Sequence, residues 1–513
     1  MTSALDGAKY DFEDRIRNFS FLVITAFAAL GAFLAVPNLS LPVTTMVIES
    51  GHFAQASDPS WIPMAAAICA GIFLPLVGVI YCKNTISRDK STGVLSLIQT
   101  SPTNKFSYLF SKFLSNCFIL FGVLTVITAG SLVMVFIRFP HQRLSVYSFL
   151  TPFLSLLPGL VFCASISVLL ESTALRFPQA GNGVGTVLFF TLYLTILTFS
   201  VLGSDNPLVR AFDFSGFGWL KASIDSAVYP QIGHSARFAV LAGGEAIQNS
   251  PDLPALVFTG LVPSWRFLTD KILLCAISLF TVVLSAEIMP EYERNLSLQK
   301  ATVTKEQILR TDKRRNMVRV SSAFPAEVKM ALRGRPKFWW VGLLGLWCAA
   351  AFAPLPTVQN IVLPLLFGWS FMVYSQMGCR EYQCHITGSL KSIDGAFSRQ
   401  GILNLLVGVC FSMAITFPLL VRMAIGKEFS GLCACIIFCL FVPSLAFFLG
   451  EITESPRPFE IIFLILCYLM LNHPPIIIGI SEEYVSMSRI VLILFLSIVM
   501  LLIAYSKRWA SRE

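Results

Sequence analysis

Apolar residues come in long runs along this chain, and short polar stretches punctuate them. Twelve runs, at 19–37, 61–82, 110–134, 152–170, 182–202, 268–289, 339–355, 359–378, 401–422, 430–450, 459–478 and 489–506, approach the length that matters in a bilayer. About 20 consecutive mostly apolar residues carry a helix across the hydrocarbon core. Before the first run, Phe12, Ile16 and Phe19 recur at i, i+4 and i+7, with Glu13, Asp14, Arg15 and Arg17 on the other face. That spacing predicts an amphipathic helix over Tyr10–Asn18, lying along the inner interface. A second polar, helix-prone segment, Pro325–Lys337, stands in the same place before the seventh run.

The runs therefore fall into two similar halves. Each half has a leading interfacial helix, a pair of spans, a polar loop and four more spans. Because both halves start on the same side, this is a parallel repeat about an axis near the membrane normal. The symmetry is imperfect: a long segment, 203–267, separates spans 5 and 6, whereas only about ten residues around Glu482 and Glu483 separate spans 11 and 12. The expected fold is an all-α polytopic membrane protein of about twelve transmembrane helices in two six-helix repeats. Residues 1–289 form the first half, 290–324 a linker and 325–513 the second half.

Composition agrees with the runs. Of 513 residues 55% are hydrophobic and 13% charged, and mean hydropathy is +0.72. A soluble domain carries roughly 25% charged residues; these are too few to coat a water-facing surface. The first 18 residues are polar and no small-residue cleavage site follows the first run, so that run is expected to stay as an anchor. The net charge of +9 points to cytoplasmic loops rather than to nucleic acid. Residues 290–338 hold twelve Lys/Arg, Lys313, Arg314 and Arg315 among them, against five Asp/Glu, and Lys507, Arg508 and Arg512 mark the tail. Both therefore belong in the cytoplasm, and with six spans in the first half the N-terminus does too. Arg138, His141 and Arg143 run weakly against this orientation. Segments 38–60 and 203–267 then face outward. The second, with runs such as Ala236–Gly243 and Leu256–Val262, is either short helices at the outer interface or an ordinary surface loop. None of the thirteen cysteines falls in these two segments, and most read as small packing residues.

The loop after span 2, residues 82–105, starts with charges, passes through Thr92-Gly93 into Val94, Leu95, Leu97 and Ile98, and stops at Ser101-Pro102. A short helix parallel to the membrane, offering apolar knobs and ended by a rigid turn, fits that order. Lys105 and Lys112 then lead into span 3. This pattern resembles the signature loop of type-2 ABC exporter permeases: Arg-acid, Ser/Thr-Gly-x-Leu, a short apolar helix, Ser-Pro, then a Lys at the mouth of the next span. Here it falls on Arg88-Asp89, Thr92-Gly93-Val94-Leu95, Ser101-Pro102 and Lys112. The six-span layout, leading helix and long outer loop also resemble that family.

The resemblance implies that the loop is a coupling helix docking on a separate ABC-type ATPase, present as two copies or two domains. ATP and Mg²⁺ would sit on that partner, with no cofactor on this chain, which would lie in the bacterial inner membrane as an export permease. A weaker version of the loop opens at Arg380-Glu381 and continues through Thr387-Gly388-Ser389-Leu390, with Arg399 in place of the Lys and no Ser-Pro stop.

No Gly-x-x-x-x-Gly-Lys-Ser/Thr loop occurs, so ATP is not expected to bind here by that device. Cys379, Cys384 and His385 cluster, but no further metal ligand stands near them. Asp270 and Lys271 are expected to pair with one another near the outer end of span 6. Scattered Asp205, Asp213, Asp225, His234 and Glu245 read as loop residues rather than as an enzyme's site. The competing reading is an ion-coupled secondary transporter of twelve spans, which requires buried charge near the midplane.

Overall fold

The computed structural model describes residues 2–35, 46–48, 60–101, 104–139, 145–177, 181–201, 206–236, 238–240, 257–290, 323–333, 335, 337–384, 386–393, 395–471 and 487–510. Nearly all of them are helical. The first half comprises α1 (Thr2–Ile16), α2 (Phe19–Ala35), α3 (Trp61–Cys82), α4 (Thr85–Ser91), α5 (Val94–Thr100), α6 (Lys105–Arg138), α7 (Val146–Leu154), α8 (Leu157–Arg176), α9 (Gly181–Val201), α10 (Pro207–Ala211), α11 (Phe217–Ile232) and α12 (Trp265–Ile288). The second comprises α13 (Ala323–Leu332), α14 (Lys337–Phe352), α15 (Leu355–Tyr374, with a π-helical stretch at Val358–Val362), α16 (Arg380–Gln383), α17 (Thr387–Lys391), α18 (Ala396–Gly426), α19 (Phe429–Thr453), α20 (Arg457–Leu471) and α21 (Met487–Ala510).

The described residues of the twelve apolar runs are largely helical, with run 152–170 divided between α7 and α8 and residues 472–478 of run 459–478 outside the described residues. Among the described residues, eight helices are long and apolar enough to cross a membrane, and a ninth arises if α1 and α2, bent by 76°, count as one. Leu188–Ser200 and Trp339–Phe352 are apolar but shorter. Helix ends depart from the runs where caps decide. The Asn104 side chain accepts the Phe106 N–H, so α6 begins at Lys105, inside the polar loop and before its apolar run. The linker 291–322, the segment around Glu482 and Glu483, Pro102 and His385 lie outside the described residues.

The face of α1 differs from the expected one. Ala4, Ala8, Asp11 and Arg15, at i, i+4, i+7 and i+11, turn inward, and Arg15 is only 3% exposed. Ile16 and Phe19 are exposed. Small alanines let α1 approach α6 closely, and the buried charges find partners there. The apolar residues are left for the membrane surface, where an interfacial helix wants them.

The described residues of segment 203–267 include the helices α10 and α11 and a strand. That strand, β2 (Phe238–Val240), pairs antiparallel with β1 (Met46–Ile48), Met46 opposite Val240, which joins it to the stretch between α2 and α3. Asp213 caps α11 by accepting the N–H groups of Phe217 (3.2 Å) and Gly218 (2.9 Å). Asp270 and Lys271 do not pair with each other. Asp270 takes Arg210 (2.5 Å), and Lys271 takes Asp213 (3.5 Å). Neighbours in sequence on a helix point about 100° apart, so each reaches a different part of α10 and the turn after it.

Two apolar cores form, one per half. They interlock: Ile461 and Ile465 of α20 belong to the first core, and Val23 of α2 packs on the second. Between α2, α3, α6 and α20 lies an apolar cavity of about 150 Å³, lined among others by Phe27, Ala66, Ala70, Phe73, Ile461 and Ile465. Small residues on α2 and α3 leave this room, as small residues do where membrane helices approach.

Candidate coupling loops

In the first loop, Asn84 adopts a left-handed backbone (φ 68°) and α4 starts directly after it. The first N–H groups of a helix have no intrahelical partner. Here Glu171 of α8 supplies one: its carboxylate accepts the N–H groups of Thr85 (3.1 Å), Ile86 (2.6 Å) and Ser87 (3.3 Å) and the Thr85 hydroxyl (3.2 Å). A carboxylate at this end also complements the helix dipole. One glutamate thus fixes the loop to the fourth span.

The Arg-acid pair fixes the loop's other neighbours. Arg88 donates to Asp14 (2.8 Å) and lies 3.7 Å from Asp11, both on α1. Asp89 meets Lys112 Nζ (2.9 Å) and accepts the Tyr108 hydroxyl (2.7 Å), both on α6. Asp11 closes the circuit, taking Lys112 (2.8 Å), Ser115 (2.7 Å) and Arg15 (2.5 Å). Arg15 reaches on to Asn116 (2.7 Å), and Asn116 to Ser167 of α8 (3.1 Å). Burial alone would raise the Asp11 pKa, but Arg15 and Lys112 outweigh it and bring it down to about 2.

Beyond this clamp, Thr92 bonds back to the Arg88 carbonyl (3.0 Å), and Gly93 turns the chain with φ 79°, a conformation glycine adopts without strain. α5 follows. Leu95 turns inward at 7% exposure, while Val94 and Leu97, the latter 70% exposed, point away. α5 ends at Ser101, whose hydroxyl bonds the Ile98 carbonyl (2.7 Å).

The second loop repeats the pairing logic with other residue types. Arg380 of α16 pairs with Glu327 of α13, the second leading helix, and Gln400 of α18 donates to the same carboxylate (2.8 Å). Glu381 accepts from Asn404 of α18 (2.9 Å). In both loops the arginine thus holds an acid of the leading helix, and the following acid holds a polar group of the next span. The Lys112 position is served by Gln400 and Asn404; Arg399 is exposed. Glu451, on the fourth span of this half, accepts the Tyr382 hydroxyl (2.6 Å), much as Glu171 receives α4.

One element has no counterpart among the described residues of the first half. Arg508 of α21, 0% exposed, donates to Glu451 (2.7 Å) and to the Phe397 carbonyl (2.7 Å) and lies 3.5 Å from Glu381. Its guanidinium sits over the rings of Phe397 (4.3 Å) and Phe447 (5.0 Å). A Cβ on Gly401 would come within 2.5 Å of Arg508 Nη1, so the glycine makes this room. Thr387 and Leu390 of the short α17 are half-buried and Gly388 is exposed. Cys379 is buried and its thiol meets the Ser375 carbonyl, whereas Cys384 is exposed.

The sequence motifs located both loops but missed what holds them: Asp11, Tyr108, Glu171, Glu327, Gln400 and Glu451. Glu171 had a visible signal, being a lone carboxylate in an apolar run. Arg508 counted only as a charge of the tail.

Long apolar helices, joined by loops whose charges are locked to neighbouring helices, define a multi-pass helical membrane protein. Residues 7–207, less than half of the chain, match the family model described as ABC-2 family transporter protein. The match takes in α1 through α9 and hence the whole first loop. Comparisons with curated proteins and with solved structures each gave no match.

Proposed function

We propose that this chain is a fused permease subunit of an ATP-driven ABC exporter, two six-span halves in one polypeptide, with hydrolysis on a separate ABC ATPase. The observation that carries the reading is the first loop. It is held rigidly by α1, α6 and α8, yet offers Val94 and Leu97 outward, as a lever driven by a partner must. Closure of the ATPase dimer on ATP would shift α4 and α5 as a unit. Glu171, Asp89 and Arg88 would pass that shift to α8, α6 and α1, tilting the halves between two states. Recurrence of the same pairing around Glu327, Arg380, Glu381 and Asn404 supports a second, weaker docking loop. The apolar cavity between the halves fits an amphipathic or hydrophobic cargo. In this reading both termini and the linker 290–324 are cytoplasmic.

Gentle solubilisation followed by affinity purification tests the reading. An ATPase should be recovered with the tagged chain, with hydrolysis that the purified pair sustains. Consistent recovery of the chain without an ATPase would overturn it.

A further inference from the structure

The cavity between the halves is extended by a second apolar space that shares Phe73, Val77, Ile461 and Ile465 with it. This smaller pocket, lined by Phe73, Leu76, Val77, Ile80, Ile461 and Ile465, continues along α3 and α20. Three residues past Ile80 on one side is Lys83, and one helical turn before Ile461 on the other is Arg457. Arg457 donates to the Lys83 carbonyl (2.8 Å), and its guanidinium lies over the Tyr81 ring (5.7 Å). Glu460 is the carboxylate that faces both cations and also accepts from Ser375. Arg15 and Glu171 lie close enough to act on Arg457 electrostatically, but both are engaged in the first loop. An apolar slot thus runs along α3 and α20, with one cation from each half placed just beyond its lining by Ile80 and Ile461, and with Glu460 and Glu171 near both.

Resting on the permease reading above, we propose that this slot takes an anionic amphiphile, its alkyl chain in the cavity between α2, α3, α6 and α20 and its anionic headgroup on Arg457 and Lys83. An apolar cavity of about 150 Å³ stays dry and takes up apolar matter of about benzene size, so it holds one stretch of chain rather than a large ring system. A phosphate or carboxylate headgroup competes with Glu460 for Arg457 and Lys83 through charge-assisted hydrogen bonds. Because Arg457 bridges the halves, an arriving headgroup displaces a contact that ties α20 to α3. Cargo binding is thereby linked to separation of the halves, and a neutral amphiphile, which cannot compete with Glu460, leaves the tie intact.

Native mass spectrometry of the purified full-length chain, exchanged into equal amounts of phosphatidylglycerol and phosphatidylcholine with identical acyl chains, tests this. The wild type should retain phosphatidylglycerol in preference by about tenfold, about 1.4 kcal/mol. Lys83→Met combined with Arg457→Met should bring the preference near unity while still retaining lipid. Ala70→Phe, which fills the cavity and leaves both cations, should lose retained lipid of both kinds. Lys83→Met alone, a milder change at a half-buried position, should give an intermediate preference if the double variant does not fold. Equal retention by the wild type, or an anionic preference unchanged in all variants, overturns the proposal and assigns the lipid to the general belt. Lipid retention is read without an ATPase, so this test fails independently of the co-purification above.

Discussion

At the scale of single residues, the first loop is built from charges that have partners on three helices, and Asp11 is the one most of them share. It accepts from Lys112, Ser115 and Arg15 and lies near Arg88. Its pKa falls from 3.8 to about 2 because those cations outweigh the cost of burial. A carboxylate with a depressed pKa in the folded state stabilises above its unfolded pKa and loses that contribution as pH falls through the folded one. The stabilisation is therefore full above about pH 4, fades between about 4 and 2, and amounts to about 2 kcal/mol. Asp11→Asn should lower the unfolding temperature of the detergent-purified chain at pH 7, and the gap to the wild type should narrow steadily from pH 4 to pH 2.5. A gap independent of pH would show that packing of α1, and not its charge, is what Asp11 provides. Little of this was legible in the sequence. Arg88, Asp89 and Lys112 could be picked out because they stand beside a recognisable Gly-turn. Asp11, which meets Arg88 and Lys112, is 77 to 101 positions away from them, and Glu171, which receives Thr85, Ile86 and Ser87, stands alone in apolar surroundings; only the packing of α1 and α8 brings them in.

At the scale of elements, hydropathy reads well wherever lipid is the judge. The described parts of the apolar runs are largely helical, since a backbone in hydrocarbon must satisfy its own hydrogen bonds. Elements that depend on particular partners were not legible: α4 needs the Glu171 cap, β1 and β2 need each other, and the inward face of α1 is chosen by α6. The same distinction decides how to probe α5. The motif puts Leu95 in the docking signature, but Leu95 is buried under the loop and Leu97 is the exposed knob. Leu97→Glu should leave stability within about 0.5 kcal/mol, as surface substitutions do, and should sharply reduce recovery of the ATPase with the chain. Leu95→Glu should instead lower the unfolding temperature, because it buries a charge without a partner, at a cost of several kcal/mol. Undiminished ATPase recovery with Leu97→Glu, measured beside the wild type, would remove α5 as the docking element.

At the scale of the whole molecule, the two halves share a plan but not a set of contacts. The first loop ends in α5 with its apolar knobs outward. The second is bolted down by Arg508 from α21, and α17 is only five residues long. Such a molecule needs both halves held together at one face while one loop moves more freely than the other. The tie is Arg457 on the Lys83 carbonyl, backed by Ile461 and Ile465 in the first core. Among the described residues these contacts hold the halves together. Helix association in lipid rests on close packing and on a few polar contacts, and the interface between α2, α3 and α20 has both. Co-expressed as two chains, 1–300 and 310–513, with a tag on the second only, the halves should purify together in equal amounts. Arg457→Met should weaken that recovery without lowering the amount of the tagged half in the membrane. Recovery of the tagged half alone, at normal membrane levels, would mean that the linker carries the association. The interlocked cores would then be insufficient to hold the permease as one unit through its cycle.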